Sequence, residues 1–126
     1  MNWNQRIFVA AFAALAAAST THVATAADNG AQLFHQYCSI CHDTTPGKNK
    51  VGPSLAGVFG RKAGTEAGFS YSPGMQHSGL TWDEQTLDKY LTNPRAVVPG
   101  NKMPFLGVKD PNQRHAIIAY LKTLKP

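Results

Sequence analysis

The chain has 126 residues, of which 43% are hydrophobic, and a formal net charge of +5. This length allows one small domain together with a targeting segment. The sequence has no run of Lys and Arg and no interleaved aromatic residues, so it does not indicate nucleic-acid binding; the positive charge favours an acidic protein surface as the partner.

Residues 1–27 have the pattern of a secretory signal peptide. Arg6 is followed by the apolar stretch 7–18, and the small residues Ala24, Thr25 and Ala26 form an A-x-A cleavage site. The apolar stretch is shorter than the ~20 residues that a membrane-spanning helix needs. We therefore predict that the segment is cleaved and that the exported domain comprises residues 28–126.

The first helix of this domain is predicted to begin at Asp28 or Asn29, either of which can serve as the N-cap. Leu33, Phe34 and Tyr37 fall on one face of that helix. The helix is expected to run to a pair of cysteines.

The motif Cys38-Ser-Ile-Cys41-His42 follows at once and is the attachment signature of c-type haem. Two thioether bonds to one macrocycle need sulfur atoms about one helical turn apart, and the adjacent imidazole must reach the iron. Cys38 and Cys41 are therefore predicted to hold the haem covalently, with His42 as the proximal iron ligand.

Other interpretations of the two cysteines are a redox dithiol, a structural disulfide or part of a zinc site. A thioredoxin-like dithiol needs a βαβ context, which the surrounding helical and Gly/Pro-rich pattern does not supply. A zinc site would have to recruit His35 and His42 beside both cysteines, and four ligands crowded near one turn are geometrically awkward.

Residues 43–80 show almost no hydrophobic periodicity and are rich in Gly and Pro. A structureless stretch of this length inside a small domain is unusual unless it is functional. We expect a flat apolar macrocycle to complete the core there. Its expected packing partners are eight apolar side chains: Leu55, Val58, Phe59, Phe69, Leu80, Leu87, Leu91 and Phe105.

Two further helices have clear start signals. One is predicted to begin with a capping box at Thr81–Glu84 and to end at Asn93, with a short turn from Pro94 to Val98. The other begins with Asp110 as N-cap, Pro111 and a capping-box Gln113. It carries an apolar face at helical spacing formed by Ile117, Tyr120, Leu121 and Leu124.

The second axial ligand of the iron is predicted to be Met103. This residue lies in a loop braced by Pro99, Pro104 and Phe105, whereas Met75 lies in a turn that is predicted to lack apolar support. A lone methionine is ordinarily a core filler, but a loop position between Lys102 and a proline is a poor core site. His77 is a weaker competitor for the iron.

With these residues in place, the chain resembles class I cytochrome c, specifically the mitochondrial type and its bacterial relatives. The similarity covers essentially the whole of residues 28–126. Besides the haem motif it runs through Gly52-Pro-Ser-Leu55, Gly57-Val-Phe-Gly-Arg-Lys62, Gly68-Phe-Ser-Tyr71, Gly79-Leu-Thr-Trp82, Tyr90-Leu-Thr-Asn-Pro94, Pro99-Gly-Asn-Lys-Met103 and Ile118-Ala-Tyr-Leu-Lys122.

The resemblance implies supporting roles for further residues. The carbonyl of Pro53 would accept a hydrogen bond from the His42 ring, and the Tyr90 hydroxyl would donate to the Met103 sulfur. A buried haem propionate would be held by three polar side chains, Arg61, Tyr71 and Trp82. The terminal helices would cross where Gly30 and Phe34 meet Tyr120 and Leu121.

The resemblance also implies a small all-α cytochrome c fold with loops wrapped around one covalent haem c. The expected function is one-electron transfer and not catalysis. The alternative is a haem domain with an open iron site, acting as a peroxidase-like enzyme or a gas sensor, and the presence of Met103 is the feature that discriminates between the two.

Haem attachment outside the cytoplasm, as the resemblance implies, agrees with the signal peptide and predicts a periplasmic protein. We expect a monomer without stable membrane anchoring. Its expected partners are redox proteins with acidic docking patches, such as a cytochrome bc1 complex, a terminal oxidase or a dehydrogenase. The candidate docking cations are Lys50, Arg95, Lys102 and Lys109.

The residues that depart from the mitochondrial pattern include Met75 and Asn101. Met75 stands where that family usually has Asn, and Asn101 replaces the usual Thr before Lys102. The redox potential and the stability of the loop are therefore not carried over from the mitochondrial proteins.

Overall fold

The computed structural model describes residue 23 and residues 25–126. It contains the helices α1 (Ala26–Tyr37), α2 (Pro73–Gln76), α3 (Glu84–Thr92), α4 (Pro94–Val97) and α5 (Pro111–Leu121). This part of the chain has no β-strand and only an isolated antiparallel bridge between Lys62 and Thr81. The predicted all-α class is confirmed. The predicted signal peptide lies mostly outside the described residues and stays a prediction.

Helix α1 begins earlier than predicted: its N-cap is Thr25, three residues before Asp28 and four before Asn29. The Thr25 side chain accepts a hydrogen bond from the Asp28 N–H at 3.3 Å, and the Thr25 N–H donates to the Asp28 carboxylate at 3.0 Å. This reciprocal pair is a capping box. The predicted start at Asp28 or Asn29 is wrong because Asp28 serves as the third helical residue of the box.

Helices α1 and α5 cross at very close range, at the position of Gly30. A Cβ atom on Gly30 would lie 2.0 Å from the Ala116 carbonyl oxygen, a distance no side chain tolerates. The Phe34 and Tyr120 rings pack beside the crossing with their centroids 5.3 Å apart. The expected crossing of the terminal helices is therefore present, with Ala116 as an additional contact.

The start of α3 also differs from its prediction, since Asp83 and not Thr81 is the N-cap. The Asp83 carboxylate accepts from the Thr86 N–H at 2.8 Å, while Thr81 takes part in the bridge with Lys62. At α5 the predicted N-cap Asp110 is confirmed, but it accepts from the Asn112 N–H.

The predicted capping role of Gln113 is wrong, because the Gln113 amide oxygen accepts instead from the Tyr37 hydroxyl at 3.3 Å. This bond adds a polar contact between the end of α1 and the start of α5. The short turn after Pro94 forms as predicted and is α4.

The central loops contain one short helix that periodicity did not predict. Ser72 caps α2 by accepting from the Met75 N–H at 3.2 Å. Met75 is only 8% exposed and belongs to the main hydrophobic cluster, so the prediction that it lacks apolar support is wrong. Phe59, predicted to pack in the core, is instead 37% exposed, with the Lys122 ammonium 5.1 Å from its ring centroid.

None of the helices within the described residues is both long enough and apolar enough to cross a bilayer.

Candidate haem site

A cavity of about 290 Å³ lies between the helices and the central loops. Its wall is formed mainly by apolar side chains, among them Leu55, Phe69, Leu91 and Phe105. All nine residues predicted for the site line this one cavity: Cys38, Cys41, His42, Pro53, Arg61, Tyr71, Trp82, Tyr90 and Met103. The structure thus brings together side chains from both ends of the domain and from the central loops.

The two cysteines lie on turns that continue α1. The Cys38 N–H donates to the Phe34 carbonyl at 2.8 Å, and the His42 N–H donates to the Cys38 carbonyl at 2.9 Å. These bonds place both thiols and the imidazole on the cavity wall. That arrangement lets one macrocycle meet all three groups at once.

The raised pKa of Cys38 speaks against a redox dithiol. Burial, together with the neighbouring Cys41, raises the pKa of the Cys38 thiol to about 11. A reactive dithiol requires a lowered pKa, because the thiolate is the nucleophile. Within residues 25–126 no three His, Cys, Asp or Glu side chains are grouped closely enough to bind a metal ion, so the geometry does not form the zinc site considered above.

His42 is held in one orientation and one tautomer. Its Nδ1 atom lies 2.8 Å from the Pro53 carbonyl oxygen, which can only accept, so Nδ1 carries the proton and Nε2 keeps a free lone pair. Burial lowers the pKa of His42, as does the charge of Lys50, although the Pro53 contact opposes this shift. A neutral imidazole with a fixed ring is the form that binds iron.

Gly52 permits this orientation of the imidazole. A Cβ atom at position 52 would lie 2.4 Å from Cε1 of the His42 ring. The Gly52 N–H also donates to the Cys41 carbonyl at 2.8 Å. The glycine before Pro53 therefore lets the loop lie against the ring.

Met103 lies in the extended segment after α4, and its sulfur is 4.0 Å from the Tyr90 hydroxyl. Burial raises the pKa of Tyr90 to about 12, so the hydroxyl keeps its proton and can donate to the sulfur. This contact distinguishes Met103 from Met75, which also lines the cavity but sits in α2. His77 is exposed, contacts the Pro73 carbonyl and does not line the cavity.

Asn101 anchors the Met103 segment and was not among the predicted site residues. Its side-chain oxygen accepts from the Met103 N–H at 2.9 Å. Its side-chain nitrogen donates to the carbonyls of Pro94 and Val98 at 3.0 and 2.9 Å. Asn101, which stands in place of the usual Thr, therefore makes three side-chain hydrogen bonds: one holds the Met103 backbone, and two tie the segment to α4 and its C-cap Val98.

The polar end of the cavity contains Arg61, Tyr71 and Trp82. Beside the bridge between Lys62 and Thr81, the backbone N–H of Trp82 donates to the Arg61 carbonyl at 2.9 Å. Among the described residues, neither the Tyr71 hydroxyl nor the Trp82 indole N–H donates to a protein group, and both residues line the cavity. Two such free donors beside a guanidinium suit a carboxylate such as a haem propionate.

Glu66 is a further residue at this end that sequence reasoning missed. Its carboxylate pairs with the Arg61 Nη1 at 2.6 Å, and its backbone N–H donates to the Tyr71 hydroxyl oxygen at 3.2 Å. The only signal in the sequence is an acidic residue in the loop between Gly64 and Gly68.

Comparison with known proteins identifies the family of the chain. The sequence profile of the family described as Cytochrome c matches residues 27–125. The chain is also 52% identical over 112 residues to cytochrome c2 of Rhodomicrobium vannielii, which covers 88% of this chain and 89% of that protein. The chain belongs to the cytochrome c family. The predicted resemblance is thereby confirmed.

Two further relatives support the same assignment. Cytochrome c2 iso-2 of Magnetospirillum molischianum is 61% identical over 88 residues, which are 70% of this chain and 91% of that protein. The solved structure of cytochrome cH from Methylobacterium extorquens matches with a TM-score of 0.73 and 46% identity, covering 77% of this chain and 97% of that chain.

As a cytochrome c, the protein carries a covalently attached haem c, for which Cys38 and Cys41 provide the attachment motif, and it transfers electrons. The alternative of a peroxidase-like enzyme or a gas sensor gains no support from these relatives.

Proposed function

We propose that this cytochrome c is a periplasmic one-electron carrier whose iron is held between His42 and Met103. The proposal rests on one observation: His42 and Met103 line the same apolar cavity, and each of them is contacted by a further residue that supports it as an iron ligand. The His42 ring is oriented by the Pro53 carbonyl at 2.8 Å, and the Met103 sulfur faces the Tyr90 hydroxyl at 4.0 Å.

The bound haem supplies an iron that exchanges one electron between its ferric and ferrous states. The chain would fill both axial positions, with Nε2 of His42 and with the thioether of Met103. Since both positions are then occupied by protein groups, oxygen and other small ligands have no free site. A coordination shell that stays the same in both states keeps the reorganisation during electron transfer small.

The remaining residues of the cavity control its polarity. The apolar wall excludes water, so charges inside the cavity are weakly screened. A buried carboxylate in such surroundings is costly unless it is hydrogen-bonded. Tyr71 and Trp82 have free donors for a propionate, and Arg61 contributes a positive charge beside them.

Electrons would leave through the mouth of the cavity near the cysteines. Ile40 and Val51 line the cavity and are 84% and 72% exposed. The cations Lys50, Arg95, Lys102 and Lys109 are exposed, and three of them are held by backbone carbonyls. Lys50 donates to Ser39, Lys102 to Ser70, and Lys109 to both Thr92 and Leu106.

Lys102 lines the cavity and Lys50 precedes the exposed Val51 in sequence, and both are held by backbone carbonyls. Such fixed cations beside an exposed apolar rim suit a redox partner with an acidic docking patch. The class of partner we propose is a membrane-bound or periplasmic redox protein, such as a cytochrome bc1 complex, a terminal oxidase or a dehydrogenase. We further propose that residues 1–27 are removed on export and that the carrier is a monomer.

Spectroscopy of the haem-loaded wild-type protein tests this function. The ferric protein should show a sulfur-to-iron charge-transfer band, and the ferrous protein should not bind carbon monoxide. Stoichiometric reduction and reoxidation should take one electron per haem. Carbon monoxide binding by the wild-type ferrous protein would instead indicate an open iron site and would contradict the proposal.

A further inference from the structure

Glu66 forms a largely buried ion pair beside the cavity. The side chains of Arg61 and Glu66 are only 17% and 14% exposed, and their charged atoms are 2.6 Å apart. The Arg61 guanidinium is also fixed by two backbone carbonyls, those of Ala56 and Ser54, each at 3.0 Å. The carboxylate of Glu66 is therefore paired with a guanidinium that the backbone already holds in place.

If a haem propionate occupies the polar end of the cavity, the Arg61 guanidinium has two negative groups beside it, the propionate and the Glu66 carboxylate. Two of the five Arg61 N–H groups donate to carbonyls and a third to Glu66. The guanidinium, which is a cavity-lining group, can still approach a second carboxylate with the other two. The positive charge of Arg61 is then shared between Glu66 and the propionate.

We propose that Glu66 is a positioning residue that lowers the redox potential of the haem iron by opposing the positive charge of Arg61. The inference rests on the proposed function, because it requires the haem to sit with a propionate near Arg61, Tyr71 and Trp82. Without Glu66 the charges of Arg61 and the propionate cancel. With it, one negative charge remains at the polar end of the cavity.

A fixed negative charge near the iron favours the ferric form, because that form carries one more positive charge than the ferrous form. Arg61 and Glu66 are also the two charges that act on the neighbouring Tyr71 hydroxyl. In a buried site, where the effective dielectric constant is about 20, one charge acting over more than 10 Å changes an equilibrium constant on the order of threefold to tenfold. Salt screens such a charge much less than an exposed one.

The direction in which the redox potential changes distinguishes an electrostatic role of Glu66 from a merely structural one. Replacing Glu66 by Gln removes the charge but keeps an oxygen that can accept from Arg61. If the charge sets the potential, the potential rises. If the pair only holds the loop in place, its loss admits water to the cavity, which stabilises the more highly charged ferric form and lowers the potential.

The experiment is a redox titration of the haem-loaded full chain and its variants at low and high salt. Glu66→Gln and Glu66→Ala should each favour reduction by about threefold or more, which for a one-electron couple is about 28 mV. Glu66→Asp, which keeps the charge, should stay close to wild type. The matched control is Glu84→Gln, because Glu84 is 64% exposed and pairs with Lys122 at the surface; its shift should be less than half as large and should vanish at high salt.

An unchanged or lowered potential in Glu66→Gln, or a shift equal to that of Glu84→Gln, would overturn the proposal. A shift in Glu66→Asp as large as in Glu66→Gln would overturn it too, since the cause would then be side-chain shape. Failure of both uncharged variants to take up haem would assign the pair a structural role only. In each of these cases a wild-type protein that shows the methionine band and a one-electron couple leaves the proposed function intact.

Discussion

The crossing of α1 with α5 and the loops of residues 43–72 are built in different ways. At the crossing, protein packs directly on protein: Ile118 is 1% exposed and does not line the cavity, and no atom could be added at Gly30. In the loops, the apolar side chains of Leu55 and Phe69 face a cavity. One region completes its own core, whereas the other needs a ligand to complete it.

This difference explains how a small domain can tolerate so much irregular backbone. A domain of about 100 residues buries only about 60 to 65% of the surface that its unfolded chain exposes, so it has little stability to spare. The ordering of the loops costs conformational entropy that the protein contacts alone do not offset. A covalently attached haem would supply the missing apolar contacts, so the stability of the loops should depend on the cofactor and that of the crossing on packing.

Preventing haem attachment is the strongest way to separate the two regions. The double variant Cys38→Ala/Cys41→Ala should lose the folded loops together with α3, whose Leu87, Tyr90 and Leu91 line the cavity. The helical signal in circular dichroism should fall to the part that the crossing of α1 with α5 retains, because nothing then fills the cavity. Ile40→Ala is the matched control, since it changes an 84% exposed residue between the two cysteines and leaves both thiols. Native-like helicity with a cooperative melt in the haem-free double variant would contradict a cofactor-completed core.

Gly30→Ala disturbs the crossing of α1 with α5, and Gly30 does not line the cavity. The added Cβ would overlap the Ala116 carbonyl, so the helices must separate, and the free energy of unfolding should fall by about 3 kcal/mol. Guanidinium denaturation of the haem-loaded protein measures this loss.

The control for Gly30→Ala is Gly47→Ala. Gly47 has open space around it and a φ of 70°, so this substitution should cost only about 1 kcal/mol through backbone strain. Equal losses in the two variants would show that the close crossing of α1 and α5 does not determine stability.

Reversing a charge at the rim of the cavity should slow electron exchange without disturbing the helix crossing or the loops around the cavity. Lys102→Glu should slow bimolecular electron transfer with an acidic redox protein several-fold, and more than Lys125→Glu, an equal charge change near the C-terminus. The difference should shrink as salt shortens the Debye length from ~30 Å at 0.01 M to ~8 Å at 0.15 M. Stopped-flow rates that are indifferent to salt, or equal for the two variants, would exclude a localised docking surface.

The site could be predicted from the sequence to a greater extent than the helix boundaries. The residues from Cys38 to His42 form a local motif whose chemistry depends on spacing alone, and Met103 is marked by its braced loop. The starts of α1 and α3 were predicted at the wrong residue because several capping side chains lie within a few positions. Tertiary contacts then decide among them, as when Thr81 joins the bridge with Lys62.

Residues whose roles depend on how the loops fold could not be predicted. Glu66 pairs with Arg61 only because the loop turns back on itself, and Met75 is buried by neighbours that no periodic pattern reveals. Asn101 ties its segment to α4 through carbonyls of Pro94 and Val98. Such contacts follow from the packing of the loops around the cavity, which local sequence does not encode.

The central claim, that Met103 and not Met75 completes the iron coordination, is tested most directly by one pair of spectra. Both methionines line the cavity, so Met75→Ala is a matched control for Met103→Ala. Met103→Ala should lose the sulfur-to-iron charge-transfer band of the ferric protein and should bind carbon monoxide when reduced, while Met75→Ala should keep the band and exclude carbon monoxide. A Met75→Ala protein that loses the band, or a Met103→Ala protein that keeps it, would contradict the account.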